Sequence, residues 1–151
     1  MQDSWGGWAY AINAETGEII WSNPLGGATC LSGSGVGGGR HYVSTMKTNT
    51  DPGKQISLAA LDIANGEIEW YKTYEYNAWC PPFYHNEVVY MMHFGFRAYD
   101  AATGELLLHY VDPEKGIRDT ELASSTAITD GEAIYWKNGE NRVYAFNFLK
   151  R

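Results

Sequence analysis

A chain of 151 residues can bury a core of its own and would ordinarily form one domain. Its formal net charge of −7, with Lys and Arg scattered rather than clustered, argues against nucleic acid or an anionic membrane as the main partner. No apolar run reaches the length of a transmembrane helix, Met1 to Trp5 lacks the basic and apolar regions of a signal peptide, and two cysteines are too few for a disulfide scaffold.

Taken in order, residues 8–23 read as two strands joined by a turn, and Asn23-Pro-Leu-Gly-Gly27 as a turn-rich link. Residues 27–75 read as a four-stranded unit. Its strands are a small-residue strand from about Thr29 to Val36, His41 to Thr48, Ile56 to Asp62 and Ile68 to Thr73, with a polar excursion at 49–54. The run from Gly33 to Gly38 matches the spacing of a dinucleotide fingerprint. That site needs a helix beginning at the glycines, and His41-Tyr-Val-Ser-Thr alternates as a strand, so the match is rejected.

Residues 76–111 form the next unit, with strands from about Trp79 through Pro82, Val88 to His93, Phe96 to Asp100 and Leu106 to Val111. Pro81 and Pro82 forfeit ladder bonds, so its first strand is expected to be short or irregular. The charged insertion from Asp112 to Leu122 is expected as a solvated loop. Residues 117–148 give an incomplete unit: Ala123 to Thr129, an Asp130-Gly131 hairpin, Ala133 to Lys137, an Asn138-Gly139 hairpin, and Val143 to Phe148. No helical periodicity appears.

One stretch recurs in every unit. Ala11-Ile-Asn-Ala-Glu-Thr-Gly-Glu-Ile-Ile-Trp21 returns as Ala60-Leu-Asp-Ile-Ala-Asn-Gly-Glu-Ile-Glu-Trp70 and as Ala98-Tyr-Asp-Ala-Ala-Thr-Gly-Glu-Leu-Leu-Leu108. A fourth copy breaks off at Ala145-Phe-Asn-Phe148. The short side chains of Asn13, Asp62, Asp100 and Asn147 can bond backbone N–H groups two or three residues on, and Gly17, Gly66 and Gly104 supply the positive φ of a bulged hairpin. Trp21 and Trp70 close their copies and can fill the wedge between neighbouring sheets. A period of roughly 40 to 50 residues in a strand-only chain specifies propeller blades. The expected fold is all-β, a partial β-propeller of four-stranded antiparallel blades: a half blade at 8–23, blades at 27–75 and 76–111, and an incomplete blade at 117–148. Propellers close with roughly four to eight blades, and about three and a quarter are present, so the ring is expected to be completed by other blades or chains.

The pattern Ala-x-Asp-x-x-Thr-Gly-x-x-x-Trp is similar to the tryptophan-docking repeat of PQQ-like, quinoprotein-type β-propellers. The resemblance implies a family of periplasmic alcohol and sugar dehydrogenases, non-catalytic assembly lipoproteins of the outer membrane and sensor domains, and with it an extracytoplasmic location. Its catalytic members hold PQQ on the ring axis with Ca²⁺ ligated by Glu, Asn and Asp from several blades, often against adjacent cysteines. Cys30 and Cys80 are not adjacent. The expectation is therefore a non-catalytic module for protein or ligand binding and assembly, without catalytic or metal-binding residues. PQQ and calcium enter only under the alternative, a segment of a quinoprotein dehydrogenase.

In a propeller, links between blades share one rim with links between second and third strands. That rim would gather Tyr76, Trp79, His93, Arg97, Trp136 and Lys137 beside the 49–55 loop, a platform for a small molecule or peptide. Asp119 and Glu121 sit near an inner strand, but a calcium site needs six or more oxygens. Cys80, His85 and His93 match no zinc-finger or ribbon spacing. Cys30 and Cys80 fall at equivalent points of successive blades and are expected as small buried thiols, with an interblade disulfide as the alternative.

Overall fold

A computed structural model of the chain describes residues 7–25, 28–29, 34–46, 57–73, 80–93, 95–114, 127–137 and 142–149, and every regular element among them is a strand. Strands β1 (Trp8–Ile12) and β2 (Ile19–Pro24) form the first antiparallel sheet. In the second, β3 (Ala28–Thr29) and β4 (Gly35–Gly37) both pair with β5 (Arg40–Met46), so they are two pieces of one inner strand. β6 (Leu58–Asp62) and β7 (Ile68–Lys72) follow outward. The third sheet runs β8 (Phe83–His85), β9 (Val88–Met92), β10 (Phe96–Asp100), β11 (Leu106–Tyr110), and the fourth β12 (Ile128–Thr129), β13 (Ala133–Lys137), β14 (Val143–Asn147). Each sheet is a meander in chain order, the all-β propeller arrangement of four-stranded blades that the repeat predicts.

Several local expectations are met for the reasons that raised them. β8 begins only after Pro82 and has three residues. The glycine-rich run forms the β4–β5 hairpin, with Gly38 and Gly39 at φ +59° and +77°, and no helix starts there. Its small residues let inner strands crowd. A Cβ on Gly37 would overlap the Tyr84 ring, and one on Gly35 would lie 2.9 Å from the Pro82 carbonyl oxygen.

The core is centred on the third sheet. All five residues of β9 are buried, because this strand is covered on both faces and so reads as a continuous apolar run rather than an alternating one. Tyr42, Leu58, Trp70, Tyr90, Phe96, Ile134 and Trp136 belong to the same cluster, while Trp21, Leu25, Val43 and Leu61 form a second one nearer the first sheet. Asp112 departs from the solvated loop expected of it. It is 7% exposed, accepts hydrogen bonds from the Glu114 N–H at 2.9 Å and the Tyr144 hydroxyl at 3.0 Å, and lies 3.6 Å from Arg142. It anchors the exit of the third sheet to the fourth; residues 115–126 lie outside the described region.

Candidate functional site

The recurring turn is built as a capped, bulged hairpin. Asn13 Oδ1 accepts from the N–H groups of Glu15 and Thr16, Asp62 Oδ1 from Ala64 and Asn65, and Asp100 Oδ1 from Ala102 and Thr103. Gly17, Gly66 and Gly104 have φ of +76°, +76° and +70°, and the register slips once in each hairpin.

These turns receive aromatic side chains from the preceding sheet. The Trp21 indole N–H donates to the Ile63 carbonyl and that of Trp70 to the Ala101 carbonyl, each at 3.0 Å. A Cβ on Gly66 would overlap the Trp21 ring, and one on Gly104 would lie 2.8 Å from the Trp70 ring. A second set of aromatics, which the sequence reading missed, comes from the strand before. Tyr42, Tyr90 and Tyr135 occupy one register position, opposite Ala60, Ala98 and Ala145. Tyr42 donates to the Ala101 carbonyl at 3.2 Å; burial pushes its hydroxyl up to about 12 and keeps it protonated. Tyr90 accepts from the Leu149 N–H at 3.1 Å. Tyr135 instead turns back to Asp130 Oδ2 at 2.7 Å. That hydroxyl and the N–H groups of Ala133 and Glu132 hold the Asp130 carboxylate down at about 2. Among the described residues nothing lies within 4 Å of a Cβ placed on Gly17.

The six expected rim residues divide. Tyr76 and Trp79 lie outside the described residues. His93 and Trp136 are 1% exposed and pack as core groups; Trp136 meets Phe96 of the third sheet edge-on at 6.1 Å. Arg97 is half-buried and its Nε donates to the His93 carbonyl at 2.8 Å, while Lys137 is exposed. Burial, helped by the nearby Arg97 and His109 charges, lowers His93 to about 3.

An open groove of ≈ 1050 Å³ lies on the opposite rim, where first-to-second and third-to-fourth strand links gather. Its walls are the β8–β9 turn (Asn86-Glu87), the β12–β13 turn (Gly131-Glu132), and Asn147 to Leu149 after β14. His85 and Phe148, which also line it, stack with centroids 3.8 Å apart. Asn86 and Glu87 have φ of +46° and +61°, the described non-glycine residues in the left-handed region. A hint was present in the sequence: Asn86-Glu87 aligns with Gly38-Gly39 on the repeat.

Among the described residues no three His, Cys, Asp or Glu side chains converge as a metal-binding group, so Cys80, His85 and His93 are not brought together. Cys80 is a buried thiol whose carbonyl accepts from Ser44 Oγ at 2.9 Å; Cys30, Asp119, Glu121 and the 49–55 loop lie outside the described residues.

Comparison with known proteins agrees with this architecture. A family model described as outer membrane protein assembly factor BamB matches residues 6–150. BamB from Moraxella catarrhalis superposes with a TM-score of 0.71 at 16% identity over 95% of this chain, which spans 40% of that protein. The computationally designed Ika4 protein gives 0.69 at 8% identity over 95% of this chain and 81% of its own. A europium-containing methanol dehydrogenase gives 0.55 at 13% identity over 86% of this chain and 29% of its own. A search of curated proteins returned no match. The structural likenesses show the fold, and the family model, covering nearly the whole repeat array, shows that the chain belongs to the BamB-like family of PQQ-type β-propeller repeat proteins.

Proposed function

We propose that the chain is a non-catalytic binding and assembly module that completes its propeller with further blades, in the same polypeptide or in another chain, outside the cytoplasm. The observation that carries this reading is the docking of aromatics onto turns. Trp21 and Trp70 cap the turns at Gly66 and Gly104, whereas the equivalent turn at Gly17 is uncovered among the described residues and the equivalent Tyr135 bonds its own sheet. Another blade of the same kind would meet that turn and that tyrosine as the internal blades meet one another. Covering sheet faces and edges also suppresses indiscriminate strand pairing. Membership of a family named for an assembly factor supports the same reading. Arg97 and Lys137 are the described residues of the expected rim that reach solvent.

Light scattering of the purified chain at micromolar concentration tests this: association beyond one copy is expected, and a stable, compact monomer would overturn it. The second reading, a segment of a PQQ- and calcium-dependent dehydrogenase, is favoured only by the fold likeness to methanol dehydrogenase. Tight binding of PQQ in the presence of Ca²⁺ by this chain alone would favour it over the first.

A further inference from the structure

The β8–β9 turn carries a residue that its backbone disfavours. In the equivalent β4–β5 hairpin both left-handed positions are glycine, and the Gly39 carbonyl accepts the Ile63 N–H at 3.0 Å. The β8–β9 hairpin keeps the same geometry, with the Glu87 carbonyl accepting the Ala101 N–H at 2.9 Å, but fills the two positions with Asn86 and Glu87. Asn tolerates the left-handed region; Glu gains nothing from it, and glycine would serve the turn better. Strain of this kind points to a role for the side chain rather than for the backbone. Glu87 and Glu132 both line the groove, and neither carboxylate is in an ion pair among the described residues. Among the described residues no Lys or Arg lines the groove.

We infer that this groove binds arginine side chains presented by an extended segment of a protein partner, an inference that rests on reading the chain as a binding scaffold. Each part of the groove suits a guanidinium. Tyr84, His85 and Phe148 give the groove an aromatic lining, and a guanidinium, planar and weakly hydrated, packs against aromatic rings better than an ammonium does. Glu87 and Glu132 supply the carboxylates that its forked N–H groups recognise. Asn86 and Asn147 carry amides able to bond a peptide backbone alongside. A divalent metal suits the groove poorly, because two carboxylates fall short of the six or more oxygens it needs. The volume of ≈ 1050 Å³ and the open shape admit a peptide rather than enclosing a small molecule. The net charge of −7 adds long-range attraction for a basic partner.

The test titrates the full chain with an acetylated, amidated Gly-Arg-Gly-Gly-Arg-Gly peptide and with its citrulline counterpart, which keeps the planar shape but loses the charge, at low and at physiological ionic strength. Saturable binding of the arginine peptide is expected, weakened about ten-fold by citrulline and about ten-fold by Glu132→Gln. Glu87→Gly is the discriminating variant. It should raise the melting temperature by relieving the turn and yet weaken the peptide by about ten-fold, a split that a purely structural residue would not give. Equal affinity for both peptides, or wild-type affinity in both Glu87→Gly and Glu132→Gln, overturns the inference. Light scattering on the same samples separates the two proposals. Intact association without peptide binding removes this inference alone, and a compact monomer that binds the peptide removes the assembly reading alone.

Discussion

His93 stands at the junction of β9 and β10, where strand alternation places it near a rim, and the structure buries it beside Arg97 and His109. Burial first, and the two neighbouring charges second, hold the imidazole neutral, with its pKa lowered from 6.5 to about 3. The unfolded chain therefore binds a proton between those values that the folded chain refuses. Stability from this residue is complete above pH 6.5 and is lost as the pH falls toward 3. His41 is also lowered by burial, so the acid slope belongs to more than one histidine. Urea unfolding from pH 7 down to 4 should show a shallower loss of stability in His93→Leu than in the wild type. An unchanged slope would mean that His93 is readily protonated in the folded protein.

At the level of the element, the Asx-Gly turn was legible because its determinants are local. Asp62 reaches N–H groups two and three residues on, and Gly66 supplies a backbone angle. What the turn touches was less so. Gly17 and Gly66 share a φ of +76°, yet among the described residues only Gly66 lies under an indole. Alanine at Gly17 should cost about 1 kcal/mol, the strain of a side chain in the left-handed region. Alanine at Gly66 should cost roughly 1 to 3 kcal/mol more, because Trp21 must also leave its place on the turn. Equal shifts of the two melts would show that Trp21 is not held there. The short β8 is a second local consequence, of Pro81 and Pro82, whereas the pair Asn86-Glu87 became meaningful only when its hairpin superposed on Gly38-Gly39.

As a whole, the molecule is a row of sheets in which aromatic docking ties each sheet to the next one along the chain, and stability in such an array grows with the number of covered faces. The third sheet is covered on both sides; β9 has no residue more than 1% exposed. Hydrogen exchange read by mass spectrometry should be slowest in β9 and β10 and faster in the β1–β2 and β12–β14 sheets, with the end sheets gaining protection at concentrations where chains associate. Uniform protection across all four sheets would contradict a nearest-neighbour array.

By itself the sequence determined the strand-only class, the repeat and its turns, and with them the resemblance to PQQ-like propellers, because a hairpin is specified by residues within a few positions of one another. Tertiary structure decided which side chains are inside and which are available. His93 and Trp136 are core groups, Asp112 is an anchor rather than a loop residue, and a groove lined by Glu87 and Glu132 opens on the rim opposite the one expected. The physical reason is that burial depends on partners brought in from neighbouring strands and sheets, as Phe96 is brought to Trp136 and Tyr144 to Asp112, which no local alternation encodes. Only the packing of one sheet on the next turns an exposed-looking rim residue into part of the core.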